Sequence, residues 1–185
     1  MDRTGLFSAR GLAAFAGGAS LAFIASRLLP PFLAQSVANV VDPFGVLIED
    51  HRRFIDLLSE MERSEGASTF QRTQLFLRLK RGLAAHAMAE EDVLYPVLRE
   101  EAGDAPAADR LYTDHGAIKT HLYALEQTIR DDTIWLPRVT ALKTLLAEHA
   151  RQEEDIEFPR LRALLDEEAT ARMARLIRRE KAMVL

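Results

Sequence analysis

The feature that most constrains this chain is a duplicated pattern of histidine and glutamate at helical spacing. Four of the five histidines belong to it, and two glutamates recur with them. The first copy holds His51, His86 and Glu90, and the second holds His115, His149 and Glu153. In each His-x-x-x-Glu pair, residues four apart lie about 40° apart around an α-helix, so both side chains can point at one place. The repetition predicts a symmetric site built from both halves of the chain.

The composition narrows the chemistry available to such a site. The 185 residues include no cysteine, which excludes disulfides, iron–sulfur clusters and cysteine nucleophiles. A hydrophobic content of 48% with 28% charged residues is typical of a globular protein. The net charge is −4, with acids and bases interleaved. The sequence shows no basic face of the kind that binds nucleic acid, so we expect no nucleic-acid partner.

The chain divides into three parts. Residues 1–41 form an apolar segment, residues 42–165 carry the duplicated pattern, and residues 166–185 form a charged, amphipathic tail. No stretch alternates with period two, so strands are not expected. We predict an all-α fold, an up-down-up-down four-helix bundle with an additional apolar helix at the amino terminus and an amphipathic helix at the carboxyl terminus.

Apolar stripes predict four helices within residues 42–165. Asp42-Pro43 is a start signal, and breaks near residues 64–68, 103–106 and 131–137 separate the later helices. The fourth stripe includes Leu142, Leu146 and Ile156. Each proposed ligand lies on one of these stripes. Buried carboxylates and imidazoles need compensation, and a bound cation is the simplest source of it.

These motifs resemble the hemerythrin-like (HHE cation-binding) family, in which four helices surround a non-haem di-iron centre. The likeness covers roughly residues 42–165 and includes the Glu-Glu pairs and the Tyr-Pro and Phe-Pro that follow them. The resemblance implies two non-haem iron ions, bridged by an oxo or hydroxo group. It further implies that His51 and His86 bind one iron, that His115 and His149 bind the other, and that Glu90 and Glu153 bridge them.

The neighbouring acids have predicted supporting roles. Asp50 and Asp114 each precede a ligand histidine and are candidates for supporting or helix-start roles. Glu91 and Glu154 point about 100° away from the ligand stripe, so we interpret them as solvated or hydrogen-bonded neighbours.

The chain departs from the oxygen carriers of this family at one position. Those proteins have a further histidine one turn after the third one, where this chain has Lys119. The remaining His121 lies about 120° around the helix from His115 and is not a substitute. The resemblance then implies a position open to a small ligand such as dioxygen, peroxide or nitric oxide. The alternatives are an iron oxidation or storage protein and a non-enzymatic oxygen, redox or iron sensor.

The amino-terminal segment is the second informative region. Residues 11–29 are apolar except for Arg27, and Ala14, Gly18 and Ala22 form a small-residue face suited to close helix packing. We expect a helix that associates with a membrane or with a helix partner, and a cytoplasmic or membrane-associated protein. A secretory signal is the competing interpretation. The pattern says nothing about oligomeric state.

Overall fold

The structure, a computed structural model, describes residues 42–64 and 66–184. Within these ranges all regular structure is helical, as the sequence predicts. The helices are α1 (Pro43–Glu62), α2 (Thr69–Ala89), α3 (Tyr95–Glu100), α4 (Ala105–Glu126), α5 (Asp132–Gln152), α6 (Phe158–Leu164) and α7 (Glu167–Val184). The apolar helix predicted at residues 11–29 lies outside the described residues. Across the described ranges, no helix combines the length and apolar content needed to cross a bilayer.

Side chains that accept hydrogen bonds from free backbone N–H groups set the helix starts. The Asp42 carboxylate accepts from the N–H of Phe44 at 3.1 Å, which confirms the predicted start of α1. Ser68 begins α2 with a reciprocal capping box. Asp104 and Asp131 begin α4 and α5 by accepting from the N–H groups of Ala107 and Thr133, and both aspartates lie within predicted breaks. Local sequence therefore fixes where each long helix begins.

A π-helical turn follows each His-x-x-x-Glu motif. Glu90–Leu94 joins α2 to α3, and Glu153–Glu157 joins α5 to α6. At the end of the first turn, the Tyr95 N–H donates to the carbonyl of Glu90, five residues earlier, and the second turn closes equivalently. The following residue in each copy is a proline, which has no N–H to continue the ladder. A widened turn therefore lies immediately before each proline.

The second π turn makes one core prediction wrong. The apolar stripe predicts that Ile156 faces the core, but its side chain is 49% exposed. The extra residue in the turn rotates the positions that follow, so Glu157 takes the inward place and is 2% exposed. The Gln152 side-chain amide donates to the Glu157 carboxylate at 3.2 Å. A fixed 3.6-residue period cannot predict this exchange.

Two apolar clusters form the core, and the ligand histidines lie between them. Along α1, Phe44 and Leu47 belong to the second cluster and Phe54 to Met61 contribute to the first, with His51 in between. The same separation occurs on α2, on α4 and along α5 and α6. The first cluster includes Leu79, Leu83, Ile118, Leu122, Trp135 and Leu146, and the second includes Ala89, Val93, Leu111, Phe158 and Leu161. The histidines thus form a polar layer enclosed on both sides by apolar packing.

The carboxyl-terminal helix α7 packs against α2 and α1. Its inward face carries Met173, Ala174 and Ile177, all nearly inaccessible to solvent. Near its end, Lys181 donates to the carboxylate of Asp50, which is itself buried. The amphipathic helix predicted for this tail is confirmed, and it delivers a positive charge next to the polar layer.

Two helical glycines provide a test of how tightly α1 and α2 pack. A Cβ on Gly82 would lie 2.7 Å from Cε1 of Phe54, a ring that is 1% exposed, whereas a Cβ on Gly116 would meet nothing within 4 Å. Alanine gains about 1 kcal/mol over glycine in a helix, while overpacking costs about 1–3 kcal/mol. We expect Gly116→Ala to raise the free energy of unfolding by about 1 kcal/mol and Gly82→Ala to lower it. Urea unfolding measures both, and equal stabilisation by the two changes would contradict the close approach.

Candidate metal centre

The structure brings all six predicted site residues together. They come from α1, α2, α4, α5 and the first residue of each π turn, and each is at most 3% exposed. Their ligand atoms form two groups whose members lie within 4.8 Å of one another: His51, His86, Glu90 and Glu153 in one, and Glu90, His115 and His149 in the other. Glu90 belongs to both groups. Among the described residues, His121 belongs to neither.

The histidines meet in pairs through the same ring nitrogen. Nε2 of His51 lies 3.0 Å from Nε2 of His86, and Nε2 of His115 lies 3.2 Å from Nε2 of His149. The carboxylates lie between the pairs. Glu153 Oε2 is 3.3 Å from Nε2 of His51 and 3.5 Å from Nε2 of His149. Donor atoms from both halves of the chain therefore converge on one small region.

The opposite nitrogens of the rings are held by acidic residues. His51 Nδ1 donates to Glu154 at 2.9 Å, and His115 Nδ1 donates to Glu91 at 2.8 Å. Each of these bonds joins one half of the repeat to the other. Glu91 and Glu154 are thus hydrogen-bonded neighbours, as predicted, but the sequence did not show that each acts on the histidine of the opposite copy.

The two aspartates act within their own halves. His86 Nδ1 donates to Asp50 at 3.4 Å, and Nδ1 of His149 lies 3.7 Å from Asp114. The first contact is buried, whereas the Asp114 side chain is 39% exposed. The predicted supporting role of Asp50 is confirmed by its hydrogen bond. Asp114 faces the Nδ1 atom of His149 in the corresponding place, but at a distance too long for a hydrogen bond.

The hydrogen bonds at His51, His86 and His115 place the proton of each ring on Nδ1 and thereby indicate what the site can bind. A neutral histidine that donates from Nδ1 to a carboxylate presents a lone pair at Nε2. In the His51–His86 pair, two such lone pairs would face each other at 3.0 Å. That arrangement requires a positive charge between them, either a proton or a metal ion. Carboxylate partners at the far nitrogen are the usual support of a metal-bound histidine.

Glu90 and Glu153 are the acids that most need a cation. Both are 0% exposed, and within the described ranges neither oxygen of Glu90 nor Oε2 of Glu153 has a hydrogen-bond partner. Glu90 Oε2 lies 3.0 Å from Nε2 of His86 and 3.3 Å from Nε2 of His115, without the angles of hydrogen bonds. An unpaired buried carboxylate is very costly. The donor set of imidazole and carboxylate fits iron, zinc or manganese.

The buried carboxylates of the polar layer shift the pKa values of its histidines. Burial lowers the pKa of His86, but the surrounding negative charge, that of Glu90 first, and the hydrogen bond to Asp50 together outweigh burial and raise that pKa to about 10. Burial likewise lowers the pKa of His115, while the nearby carboxylates of Glu90 and Glu91 raise it to about 9. At His149 burial dominates, and the pKa is lowered. A metal ion would supply the positive charge that these protons supply and would compete with them.

Tyr95 also reaches the centre, although it is not among the six predicted site residues. The rings of Tyr95 and Phe158 pack on His115 and His51, respectively. The Tyr95 hydroxyl also donates to Glu153 Oε1 at 2.8 Å and lies 3.0 Å from Nε2 of His115. Burial and the nearby glutamates raise its pKa well above the ordinary value, so the phenol remains a neutral donor.

Comparison with known proteins agrees with this geometry. The family model of the hemerythrin HHE cation binding domain matches residues 42–161. A DNA nickase from Nostoc sp. (strain PCC 7120) is 29% identical over 139 residues, which cover 75% of this chain and 39% of that protein. An uncharacterized hemerythrin-like protein from Schizosaccharomyces pombe is 28% identical over 170 residues, covering 89% of this chain and 78% of the relative.

No solved structure matches the chain significantly. The family match and the buried cluster of histidine and glutamate together fit a metal-binding protein. The chain belongs to the hemerythrin HHE cation-binding domain family.

Proposed function

We propose that the polar layer holds two non-haem iron ions and that the protein binds or reacts with a small ligand such as dioxygen, peroxide or nitric oxide. His51 and His86 would hold one ion, and His115 and His149 the other. Glu90 and Glu153 would bridge the two, together with an oxo or hydroxo group. The observation that carries this proposal is the pairwise convergence of four Nε2 atoms whose opposite nitrogens face carboxylates.

Access from solvent supports the small-ligand part of the proposal. A cavity lined in part by His86, His115 and His149 adjoins the layer. A redox-active metal pair, when bound, can exchange electrons with a ligand that reaches an open position. The protein's own groups would enclose that reaction between two apolar clusters, orient the histidines through their Nδ1 protons, and hold Glu153 through the Tyr95 hydroxyl.

We also propose the up-down-up-down arrangement of α1, α2, α4 and α5. It is supported by the order in which each helix crosses the two apolar clusters. α1 and α4 run from the second cluster through their histidine to the first. α2, and α5 together with its continuation α6, run in the opposite order. Neighbouring helices with alternating order are antiparallel, as short connections favour.

DNA nicking, the activity named for the Nostoc relative, is not part of this proposal. The match covers 39% of that protein, and this chain has a net charge of −4. Association with a membrane or a helix partner through residues 11–29 stays a prediction from sequence.

Metal analysis of the purified full chain tests the proposed function. We expect about two iron ions per chain, because the donor atoms form two groups that share Glu90. An absorption spectrum should show charge-transfer bands in the near ultraviolet. A single zinc ion per chain with no such absorption would overturn the di-iron proposal.

Histidine substitutions test the ligand assignment. We expect His86→Ala and His149→Ala each to weaken iron binding by more than about tenfold. Loss of a residue that only hydrogen-bonds to a metal ligand already costs about 10–100-fold in affinity, and loss of the ligand itself should cost at least as much. His121→Ala is the matched control, since it removes a histidine of α4 that lies outside both ligand groups. Iron content after gel filtration in a competing chelator measures the effect. An equal loss in all three variants would contradict the assignment.

The Tyr95 hydroxyl can be tested separately from the ligands. Tyr95→Phe removes the hydrogen bond to Glu153 and keeps the ring against His115, so we expect iron binding to weaken about 10–100-fold with unchanged helix content. Tyr123→Phe is the control, because that side chain is 67% exposed. Chelator competition measures the affinity, and identical values for the two variants would show that the hydroxyl does not support the site.

A further inference from the structure

The cavity beside the polar layer is larger than a diatomic ligand requires. Its volume is about 410 Å³, and it lies between α2 and α4 with contributions from α5 and α7. A cavity of roughly 150 Å³ suffices to hold benzene. By that measure this cavity accommodates a molecule of two or three rings, within the usual range for small-molecule sites.

Most of the cavity wall is apolar, and the exceptions are the histidines and two lysine–glutamate pairs. Leu83, Ile118, Leu122 and Leu146 line it, and all four are at least 92% buried by side-chain packing. Val184 adds a further apolar contact from α7. Ligand sites of this kind bind mainly by burying apolar surface, with a few polar groups fixing orientation.

The charged groups of the lining neutralise one another. Lys80 donates to Glu126 at 2.7 Å, and Lys119 donates to Glu91 at 2.6 Å. All four residues line the cavity, and the two lysine side chains are 47% and 58% exposed, so these pairs lie toward solvent. Neither lysine is a free cation that would attract an anion, and neither glutamate is a free anion. The complementary ligand is therefore uncharged.

We propose that this cavity binds one uncharged, apolar organic molecule of two or three rings, or of similar volume, against His86, His115 and His149. This deepens the proposed function by naming the class of molecule that lies beside the same centre. The binding itself depends on the apolar wall and not on the metal. A helix is about 10 Å wide with 5.4 Å per turn, so the cavity volume equals roughly one turn. A small molecule therefore fits it better than the apolar segment at residues 11–29.

The test is equilibrium dialysis of the full, iron-loaded chain against N-phenylnaphthylamine, an uncharged apolar probe. We expect saturable binding of about one probe per chain at this cavity, because its volume suits one such molecule. The anilinonaphthalene sulfonate analogue adds one negative charge to the same rings. It should bind at least about tenfold more weakly, since no free cation lines the cavity.

Alanine-to-tryptophan changes locate the bound probe. Ala87 lies in the lining and is half-buried, so Ala87→Trp should occupy the cavity and weaken probe binding at least about tenfold. Ala84→Trp, at an exposed lining position, should have the same effect if the first variant folds poorly. Ala141→Trp, at an exposed position of α5 outside the lining, should leave binding unchanged. Thermal unfolding confirms that the variants are folded.

The outcomes separate this proposal from the proposed di-iron centre. The chelator-treated chain should bind the probe as well as the iron-loaded chain does. If the purified chain contains no iron but binds the probe, the di-iron proposal fails and this proposal stands. Normal iron content with no probe binding would overturn this proposal alone and point to residues 11–29 or a second copy of the chain as the occupant. Equal binding by the Ala87, Ala84 and Ala141 variants, or tighter binding of the sulfonate, would overturn it as well.

Discussion

The arrangement of the structure depends on burying two carboxylates, Glu90 and Glu153, in a bundle interior. Such groups are tolerated only where positive charge surrounds them. Four histidines hold that positive charge, as protons or as a bound metal ion. The two apolar clusters exclude the water that would otherwise screen it. The same isolation strengthens every electrostatic interaction inside the layer. This layer contributes to stability only when its charges are matched, because removing one partner leaves the others unpaired.

The two halves of the layer are related but not identical. His86 rests on Asp50, which is buried and receives Lys181 from α7 and, at 3.7 Å, Arg53. Its counterpart His149 has a longer contact with a largely hydrated Asp114. The difference arises because α7 packs mainly on the α1–α2 side, so a helix outside the duplicated region distinguishes the two halves. One histidine is held by a buried ion pair, and the other by a weaker, solvent-screened contact.

The sequence predicted the helical class and the meeting of the six site residues because both depend on local spacing. Four-residue spacing fixes the relative direction of His86 and Glu90 on one helix, whatever the other helices do. The burial of Glu157 in place of Ile156 could not be predicted, since it follows from a π turn that changes the period. The bond from Glu91 to His115 and the charge of Lys181 depend on which helices become neighbours. Those contacts are tertiary, and no periodicity within one segment carries them.

The crossed glutamates have a consequence for how such a chain could have arisen. Glu91 of the first copy orients His115 of the second, and Glu154 of the second orients His51 of the first. A single copy on its own would leave its first histidine without that partner. Two identical half-length chains related by a two-fold axis would satisfy both bonds at once. The geometry is thus the one expected of a homodimer whose two half-length subunits are joined in one polypeptide, with α7 making the two sides unequal.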